Sequence, residues 1–527
     1  MLPAQWRRGH RGRIDWSATP IHPLLIAAYP VVFLFANNAS DQVSLGPLWT
    51  PLGMAVGAAL AAMLILYLAL RSWQLGAMIT SVLVVGFFGY GHAWNAVSGL
   101  LDSQWPLIAA WAVIVLIGLA VAWRFGRNAR TATRILNVVA GLALLLNAWG
   151  VAGTMVALGS VDQPGADLTP IELQPPADAG LPDVYYIILD RYASPTALAE
   201  TYDFDNEPFL TALESRGFRV ARHAHSNYIK TPLSLASSLN IDYLDAEALG
   251  AEASSGKDRE PIQRKLREHL AVPSALKELG YRYLHVSNWW PPSITNVDAD
   301  RTFHYEGQDE FSTALAQTTI LRALSEPGVA PTDPWDWRVL REHTQYALDR
   351  LNEIPGVPGP KFVFAHLLIP HDPYVFDSDG SFMNREQVAE QGQPESYRRQ
   401  LNFANDQMLS LVDRILAESG PDAVIMLQSD EGPFPVRYRA DEWGFTWRDA
   451  TDTELEEKFG ILFAMRVPDA DLDAEGFHDS ITPVNTFRLI FNARFGTDLP
   501  LLPDRTWAHE DLNHFYEFFE ITDRLRR

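Results

Sequence analysis

The stretch Asp183-Val-Tyr-Tyr-Ile-Ile-Leu-Asp190 decides the fold of the C-terminal half of the chain. Its continuous run of apolar, β-branched and aromatic residues is typical of a strand that is buried on both faces of a parallel sheet. Similar runs follow at 218–220, 281–286, 361–368, 423–427 and 459–465, and helical patterns separate them at 206–216, 274–279 and 396–419. This alternation predicts an α/β/α sandwich on a mostly parallel sheet.

The N-terminal part of the chain has a different character. Its apolar stretches follow one another with short, almost uncharged loops between them, and a helix needs about 20 largely apolar residues to cross a bilayer. The first stretch is short and is interrupted by Pro30. We expect a bundle of about five transmembrane helices, at 23–36, 51–70, 75–91, 106–123 and 135–158.

Arginine placement predicts the orientation of this bundle. Residues 1–160 contain nine arginines, no lysine and three acidic residues, and the arginines lie at 7–13, at 71 and at 124–134. The positive-inside rule therefore places the N-terminus in the cytoplasm and the C-terminal part outside the cell membrane. We predict a multi-pass anchor at 1–159, a proline-rich linker at 160–182 and one extracytoplasmic domain at 183–527.

Composition excludes several classes of function. The chain has a net charge of −22, and residues 1–160 are positive, so the C-terminal part is strongly acidic. It has no basic stripe, and we expect no nucleic-acid partner. The sequence contains no cysteine, which excludes disulfides, thiolate metal ligands and a cysteine nucleophile.

Polar residues follow several of the predicted strands. Asp190 ends the first strand. His366 lies in the strand at 361–368, and His371 lies in the loop that follows it. Gln428-Ser429-Asp430-Glu431-Gly432 follows the strand at 423–427. Thr231-Pro-Leu-Ser234 begins a helix, where free N–H groups favour an anion. Ligands bind at the carboxyl ends of parallel strands, and carboxylates gathered there need a cation.

Each of these residues also has an ordinary structural interpretation. Asp190 and Thr231 are common N-cap residues, and Pro232 is typical of the first helical turn. Residues 430–432 suit a turn, and His366 suits a hydrogen-bonded core position. The pair Trp289-Trp290 suits a sugar-binding or lipid-binding wall and suits core packing equally well.

The order of these motifs resembles the alkaline phosphatase superfamily. The chain is similar to sulfatase-like membrane enzymes, including lipoteichoic acid synthase and phosphoethanolamine transferases. Four motifs carry this resemblance: a strand that ends in Asp190, the Thr231-Pro helix start, His366-x4-His371-x-Pro-Tyr, and a strand followed by Ser429-Asp430-x-Gly. Those enzymes also join five spans to an extracytoplasmic catalytic domain. The strings 480–488 and 495–505 look like one bacterial branch of the group.

The resemblance implies specific roles. Asp190, Asp430 and Glu431 would ligate a divalent metal, Thr231 would complete its sphere as the nucleophile, and His366 and His371 would contact the substrate or protonate the leaving group. The family usually has His where this chain has Glu431, so the all-oxygen set favours Mn²⁺ or Mg²⁺, with Ca²⁺ and Zn²⁺ also compatible. A formylglycine sulfatase is excluded, because Thr231 cannot yield an aldehyde.

These residues predict a metal-dependent enzyme that transfers or hydrolyses a phosphoryl-type group at the outer membrane face. The expected partners are the lipid bilayer and a lipid-linked or envelope glycan substrate. The alternative is a catalytically degenerate sulfatase-like domain that binds a partner at the membrane, which the Glu431 substitution favours. A transporter is disfavoured, because the predicted spans lack ionisable residues.

Overall fold

The computed structural model describes residues 19–37, 45–101, 103–159, 171–175, 180–305, 310–324 and 337–525. The chain divides into two compact units. The membrane unit comprises residues 1–160 and 308–334, and the catalytic unit comprises residues 161–307 and 335–527. The arginines at 7–13 and most of the predicted linker lie outside the described residues.

Apolar helices form the membrane unit. Four of them are long and apolar enough to span a bilayer, within 48–70, 73–97, 105–128 and 130–153, and the shorter first helix contains Pro30. This confirms the predicted apolar helical region at the N-terminus, with four to five helices where about five transmembrane helices were predicted. The helices are α1 His22–Asn37, α2 Gly46–Leu70, α3 Trp73–Val97, α4 Trp105–Phe125 and α5 Arg130–Gly159.

A segment from the middle of the chain packs on these helices. It contains α12, Glu310–Thr318, and a 3-10 turn, Ile320–Leu324. The Phe311 ring meets the Phe35 ring edge-on at 5.5 Å, and Arg322 donates to the Asn95 side chain at 2.7 Å. A Cβ on Gly91 would lie 2.0 Å from the Gln317 carbonyl oxygen, so only glycine permits this approach.

Strands of the catalytic unit form a seven-stranded mixed sheet in the order β2-β7-β6-β1-β5-β3-β4. Neighbours from β6 to β4 run parallel, and β7 pairs antiparallel with both β6 and β2. A two-stranded ribbon, β8-β9, is separate. The strands are β1 Val184–Leu189, β2 Arg219–Val220, β3 Arg282–Val286, β4 Arg301–Phe303, β5 Lys361–Leu367, β6 Val424–Gln428, β7 Phe463–Arg466, β8 Trp507–His509 and β9 Phe518–Glu520.

Strand β1 lies at the centre of two hydrophobic cores. Tyr185, Ile187 and Leu189 pack in one core, and Val184, Tyr186 and Ile188 pack in the other. Because successive side chains of a strand point to opposite faces, helix layers cover both faces of the sheet. The predicted α/β/α fold is confirmed.

The helices of the catalytic unit surround this sheet. They are α6 Pro195–Tyr202, α7 Glu207–Glu214, α8 Thr231–Asn240, α9 Ala246–Glu252, α10 Glu260–Arg267, α11 Ala271–Glu278, α13 Trp337–Glu353, α14 Arg385–Gln391, α15 Gln393–Glu418, α16 Val436–Ala440, α17 Asp452–Phe459, α18 Thr486–Phe495 and α19 Thr522–Leu525.

The strand predicted at 459–465 is wrong at its start. Phe459 is the last residue of α17, and β7 begins only at Phe463. A capping box between Thr451 and Glu454 starts this helix, and it continues through the apolar Phe459, which packs against Trp447. A short apolar run does not distinguish the end of a buried helix from a strand.

Candidate active site

Three buried side chains meet at the carboxyl ends of the central strands. Asp190 follows β1, His366 lies near the end of β5, and Asp430 follows β6. One ligand atom from each lies within 4.8 Å of the others, and Asp190 Oδ2 is 3.3 Å from His366 Nε2. Because β1 lies between β5 and β6, the sheet order brings the three side chains together.

This cluster contains polar atoms that need a ligand. Asp190 Oδ1, His366 Nε2 and both carboxylate oxygens of Asp430 are buried and have no hydrogen-bond partner among the described residues. Burial, together with the charges of Asp190 and Glu431, raises the pKa of Asp430 well above its usual range. Buried groups of this kind are normally satisfied, so the donor set fits a divalent cation.

Two polar neighbours orient His366. Its Nδ1 lies 2.9 Å from Ser293 Oγ, and the Asn288 amide donates to the His366 carbonyl oxygen at 2.8 Å. The Asn288 amide also donates to Ser293 Oγ at 2.9 Å. With Nδ1 protonated and donating to Ser293, Nε2 presents its lone pair to the cluster, which is the tautomer that ligates metals.

Thr231 is the first residue of α8. Lys230 occupies the N-cap position in an extended conformation and makes no side-chain cap bond, so the N-cap interpretation of Thr231 is wrong. Burial is the main cause that raises the pKa of Asp430. The Thr231 hydroxyl lies close enough to Asp430 to lower that pKa in part. The hydroxyl and the amino end of a ten-residue helix therefore face the same cluster.

Asp190 is not a helix cap either. Its backbone N–H donates to the Leu367 carbonyl oxygen at 2.9 Å, which continues the β1–β5 pairing by one residue. The following helix, α6, is capped by Ser194 instead. The Asp190 carboxylate is thus available to the cluster.

Glu431 is held by Lys458, a lysine that belongs to none of the sequence motifs. Its Oε1 accepts from Lys458 Nζ at 2.8 Å, and its Oε2 is buried without a hydrogen-bond partner among the described residues. Burial is the main cause that lowers the pKa of Lys458 to about 8, although Glu431 opposes it. One oxygen of the predicted metal ligand is therefore committed to an ion pair.

Three cations surround the Phe434 ring beside Glu431. Lys458 Nζ lies 3.5 Å from the ring centroid, Lys230 Nζ 4.1 Å and Arg191 Cζ 4.5 Å. Burial lowers the pKa of Lys230 well below its usual range. An aromatic face attracts cations and permits this grouping, and a bound anion would reduce their mutual repulsion.

His371 lies beyond the end of β5 and is not one of the three clustered side chains, although its imidazole interacts electrostatically with the Asp190 carboxylate. Its ring packs edge-on to Trp289 at 6.1 Å, and its pKa is lowered by burial and by the Arg191 charge. Trp290 makes a similar edge-on contact with His366 at 5.8 Å. The tryptophan pair thus packs against the two predicted histidines.

Several residues of this site left only weak signals in the sequence. Lys230 directly precedes the Thr231-Pro helix start. A basic residue next to a proposed nucleophile is a weak indication in the sequence that it belongs to the site. Arg191 follows Asp190 and has the left-handed backbone (φ 60°) that is uncommon outside glycine. Lys458, Ser293 and Asn288 reach the site only through tertiary packing.

Comparison with known proteins decides the family. The family model described as Sulfatase matches residues 182–455, which is more than half of the chain and includes Asp190, Thr231, His366 and Asp430. The chain belongs to the sulfatase family. This match confirms the sulfatase-like resemblance inferred from the motifs. No curated protein matches the sequence of this sulfatase-family chain.

Solved structures with similar folds include transferases and sulfatases. The C-terminal periplasmic domain of EcEptC from Escherichia coli is 13% identical with a TM-score of 0.41, and 67% of this chain and 97% of that chain are covered. Lipooligosaccharide phosphoethanolamine transferase A from Neisseria meningitidis is 11% identical with a TM-score of 0.38, and 90% of this chain and 96% of that chain are covered. A protein from Bacteroides thetaiotaomicron that is described as a putative sulfatase is 12% identical with a TM-score of 0.38, and 63% of this chain and 78% of that chain are covered.

Proposed function

We propose that this sulfatase-family protein transfers or hydrolyses a phosphoryl-type group through Thr231 at the outer face of the membrane. The observation that carries the proposal is the position of Thr231. Its hydroxyl begins α8 beside Asp430, within a buried set of unpartnered carboxylate and imidazole atoms. A hydroxyl in such a place suits a nucleophile better than a structural cap.

The proposed reaction has two balanced steps. Thr231 Oγ1 forms a bond to phosphorus and gives up its proton, the bond from phosphorus to the leaving alkoxide breaks, and the alkoxide takes up one proton. A hydroxyl of an acceptor or of water then attacks phosphorus, the bond between phosphorus and Thr231 Oγ1 breaks, and the proton that the attacking hydroxyl loses is returned to Thr231 Oγ1. His371 suits the proton donor, because its imidazole is partly exposed and the neighbouring Asp190 and Asp372 carboxylates favour its protonated form.

The chain's own cations suit the substrate oxygens. Lys230 precedes Thr231 in the chain, Arg191 follows Asp190, and both lie against the Phe434 ring, so their positive charges suit the non-bridging oxygens of a phosphoryl group. Lys458 holds Glu431 in place. Water is limited by burial, since Asp190, Asp430 and His366 are each no more than 3% exposed.

A divalent metal fits Asp190, His366 and Asp430, with Thr231 as a further oxygen donor. When bound, such an ion lowers the pKa of a hydroxyl and neutralises charge on the phosphoryl group. His366 adds a nitrogen to the set predicted from sequence, so we propose Mn²⁺ or Zn²⁺ ahead of Mg²⁺ and Ca²⁺. Glu431 Oε2 remains available as an additional donor.

The membrane unit supports a lipid-linked or envelope substrate. Its candidate spans are free of acidic residues and lysine within their apolar cores, as expected of an anchor in contact with lipid. Together with the arginine distribution, it supports a multi-pass cell-membrane protein whose catalytic unit lies outside the cytoplasm. The acceptor would then be a glycan, a lipid or water.

A matched pair of hydroxyl deletions tests the nucleophile. Thr231→Ala should abolish turnover of bis-p-nitrophenyl phosphate by the purified, Mn²⁺-supplemented protein. Ser237→Ala removes a buried hydroxyl from the same helix, whose only described partner is the Asp242 carbonyl oxygen, and should retain turnover. Equal turnover by Thr231→Ala and the unmodified protein would overturn the proposal.

The Glu431–Lys458 ion pair favours one alternative, a catalytically degenerate domain that binds a partner at the membrane. The two functions differ in metal content. A competent site should return about one divalent ion per chain after mild purification, because the buried donors are satisfied only by a cation. A degenerate domain should return no stoichiometric metal.

A further inference from the structure

The guanidinium of Arg191 has a carboxylate partner from the protein itself. Its Nη1 atom pairs with Oδ1 of Asp372, and His371 Nδ1 lies 3.7 Å from the same Asp372 oxygen. Arg191 directly follows Asp190, and its Nε atom lies 3.7 Å from Glu431 Oε1. One carboxylate oxygen therefore lies between two groups that the proposed reaction uses.

The Asp372 carboxylate resembles a phosphoryl oxygen in charge and in position. A non-bridging phosphoryl oxygen is negative and accepts hydrogen bonds from a guanidinium, as a carboxylate oxygen does. The proposed function uses Arg191 for such oxygens and His371 for the proton of the leaving group. A substrate oxygen can take the Arg191 Nη1 contact only when the Asp372 oxygen leaves it.

The Asp372 side chain is the easiest of the neighbouring carboxylates to displace. It is 52% exposed, whereas the side chains of Arg191 and Glu431 are 17% and 3% exposed. An ion pair with a half-exposed partner contributes little net free energy, because water competes for the charge. Glu431, in contrast, is held by Lys458. Asp372 is therefore the partner of Arg191 that a substrate can replace.

Hydrogen bonds fix the backbone on both sides of Asp372. The Gln400 amide donates to the His371 carbonyl oxygen at 2.8 Å. The Oε1 atom of Gln400 accepts from the N–H groups of Val375 and Phe376 at 2.8 and 3.0 Å. Gln400 is itself completely buried. Rotation of the Asp372 side chain thus suffices to release Arg191, and the loop can keep its position.

A second cation lies near Asp372. Burial raises the pKa of Asp372, but the charges of His371, Arg191 and Arg439 outweigh it and lower that pKa. Asp372 and Arg439 also line one cleft of about 390 Å³, which gives a rotated carboxylate space. The side chain thus pairs with Arg191 in one position and has Arg439 as the partner for another.

We propose that the Asp372 carboxylate is an internal competitor of the substrate, which holds Arg191 until a non-bridging phosphoryl oxygen replaces it and then turns towards Arg439. The inference rests on the proposed function, since it concerns the binding step of the same reaction. The exchange keeps a negative charge between Arg191 and His371. Asp372 thereby determines specificity, because a ligand without an anionic oxygen cannot replace it.

Phosphate binding without turnover tests this inference. Calorimetric titration of the full-length protein in detergent with Mn²⁺ should show that Asp372→Asn binds inorganic phosphate about fivefold more tightly than the unmodified protein, because the competing charge is lost. Asp413→Asn is the matched control, since Asp413 is 57% exposed and pairs with Arg216, which is 25% exposed. This control should leave the affinity for phosphate unchanged.

Arg439 provides a second measurement. Arg439→Gln removes the alternative partner of the carboxylate and should weaken phosphate binding about threefold, but it should have little effect when Asp372→Asn is also present. Unchanged or weaker phosphate binding by Asp372→Asn, or equal effects of Arg439→Gln in the two backgrounds, would overturn the inference. These affinities are measured without turnover, so their failure is distinguishable from failure of the Thr231→Ala test.

Discussion

Lys458 Nζ lies 2.8 Å from Glu431 Oε1, and both side chains are almost completely buried. A buried ion pair is costly to break, because the residue that remains carries an uncompensated charge. Gly432 fixes the geometry of this region, since its N–H donates to the Lys458 carbonyl oxygen and a Cβ there would lie 2.2 Å from the Glu457 carbonyl oxygen. Helix α17 thus holds the loop that carries Asp430 and Glu431.

Removal of the lysine charge should destabilise the catalytic unit. We expect Lys458→Met to lower the free energy of unfolding by about 3 kcal/mol, because Glu431 is left buried without its direct ion-pair partner. Arg437→Met breaks a half-exposed pair with Glu454 and should cost at most about 1 kcal/mol. Urea unfolding of the full-length protein in detergent, followed by tryptophan fluorescence, compares the two. Equal stability of the two variants would contradict the prediction.

Metal content should depend on Asp430. Neither oxygen of this carboxylate has a hydrogen-bond partner among the described residues, so the free energy of metal binding depends directly on it. We expect Asp430→Asn to lose most of the bound divalent metal and to weaken binding at least about tenfold. The exposed Asp406→Asn is the control. Elemental analysis by mass spectrometry measures the number of metal ions per protein chain. Full metal occupancy in Asp430→Asn would contradict the proposed metal site.

Acid should destabilise the catalytic unit through buried histidines. Burial lowers the pKa of His343 to about 4 and, with the Lys230 charge, that of His509 to about 3. The unfolded chain therefore binds more protons than the folded chain below about pH 6.5, so stability is complete above that pH and is lost as the pH falls towards 4.

A ring-preserving substitution tests the contribution of His343. Protonation of this one residue accounts for roughly 3 kcal/mol of the loss. His343→Phe should flatten the pH dependence of the unfolding free energy between about pH 6.5 and 4. His514→Gln, at an exposed histidine whose pKa is raised by Asp511, should not flatten it. An unchanged slope in His343→Phe would show that this histidine is not a source of acid sensitivity.

The segment at 310–324 should act as a second attachment to the membrane unit. If a protease site is introduced within 161–170 and cut, the C-terminal fragment should remain with the membrane helices, because Phe311 and Leu315 are buried among them. Phe311→Asp with Leu315→Asp should release the fragment into the soluble fraction. The control Leu321→Asp lies at an exposed position of the same segment. Release of the unmodified fragment would refute this attachment.

Local chemistry explains what could be predicted from the sequence. The β1 run and its terminal Asp190, the Thr231-Pro helix start and the loop at 428–432 each carry their signal within a few residues. Lys458 could not be assigned to the site, because its partner Glu431 is distant in sequence and its helix also contains three glutamates. Ser293 and Asn288 reach His366 only through the β3–β5 pairing. The domain boundaries and the roles of the site residues stay predictions.

The most direct measurement is the mass of the peptide that contains Thr231 after a brief incubation with substrate. The full-length protein would be mixed with vesicles of phosphatidylethanolamine and phosphatidylglycerol, quenched in acid and digested. We predict an adduct on Thr231 with the mass of the phosphoryl-type group taken from the supplied lipid, and we predict that Thr231→Ala lacks it. Turnover of these lipids with no adduct on Thr231, or with an adduct on another residue, would contradict the proposed role of Thr231.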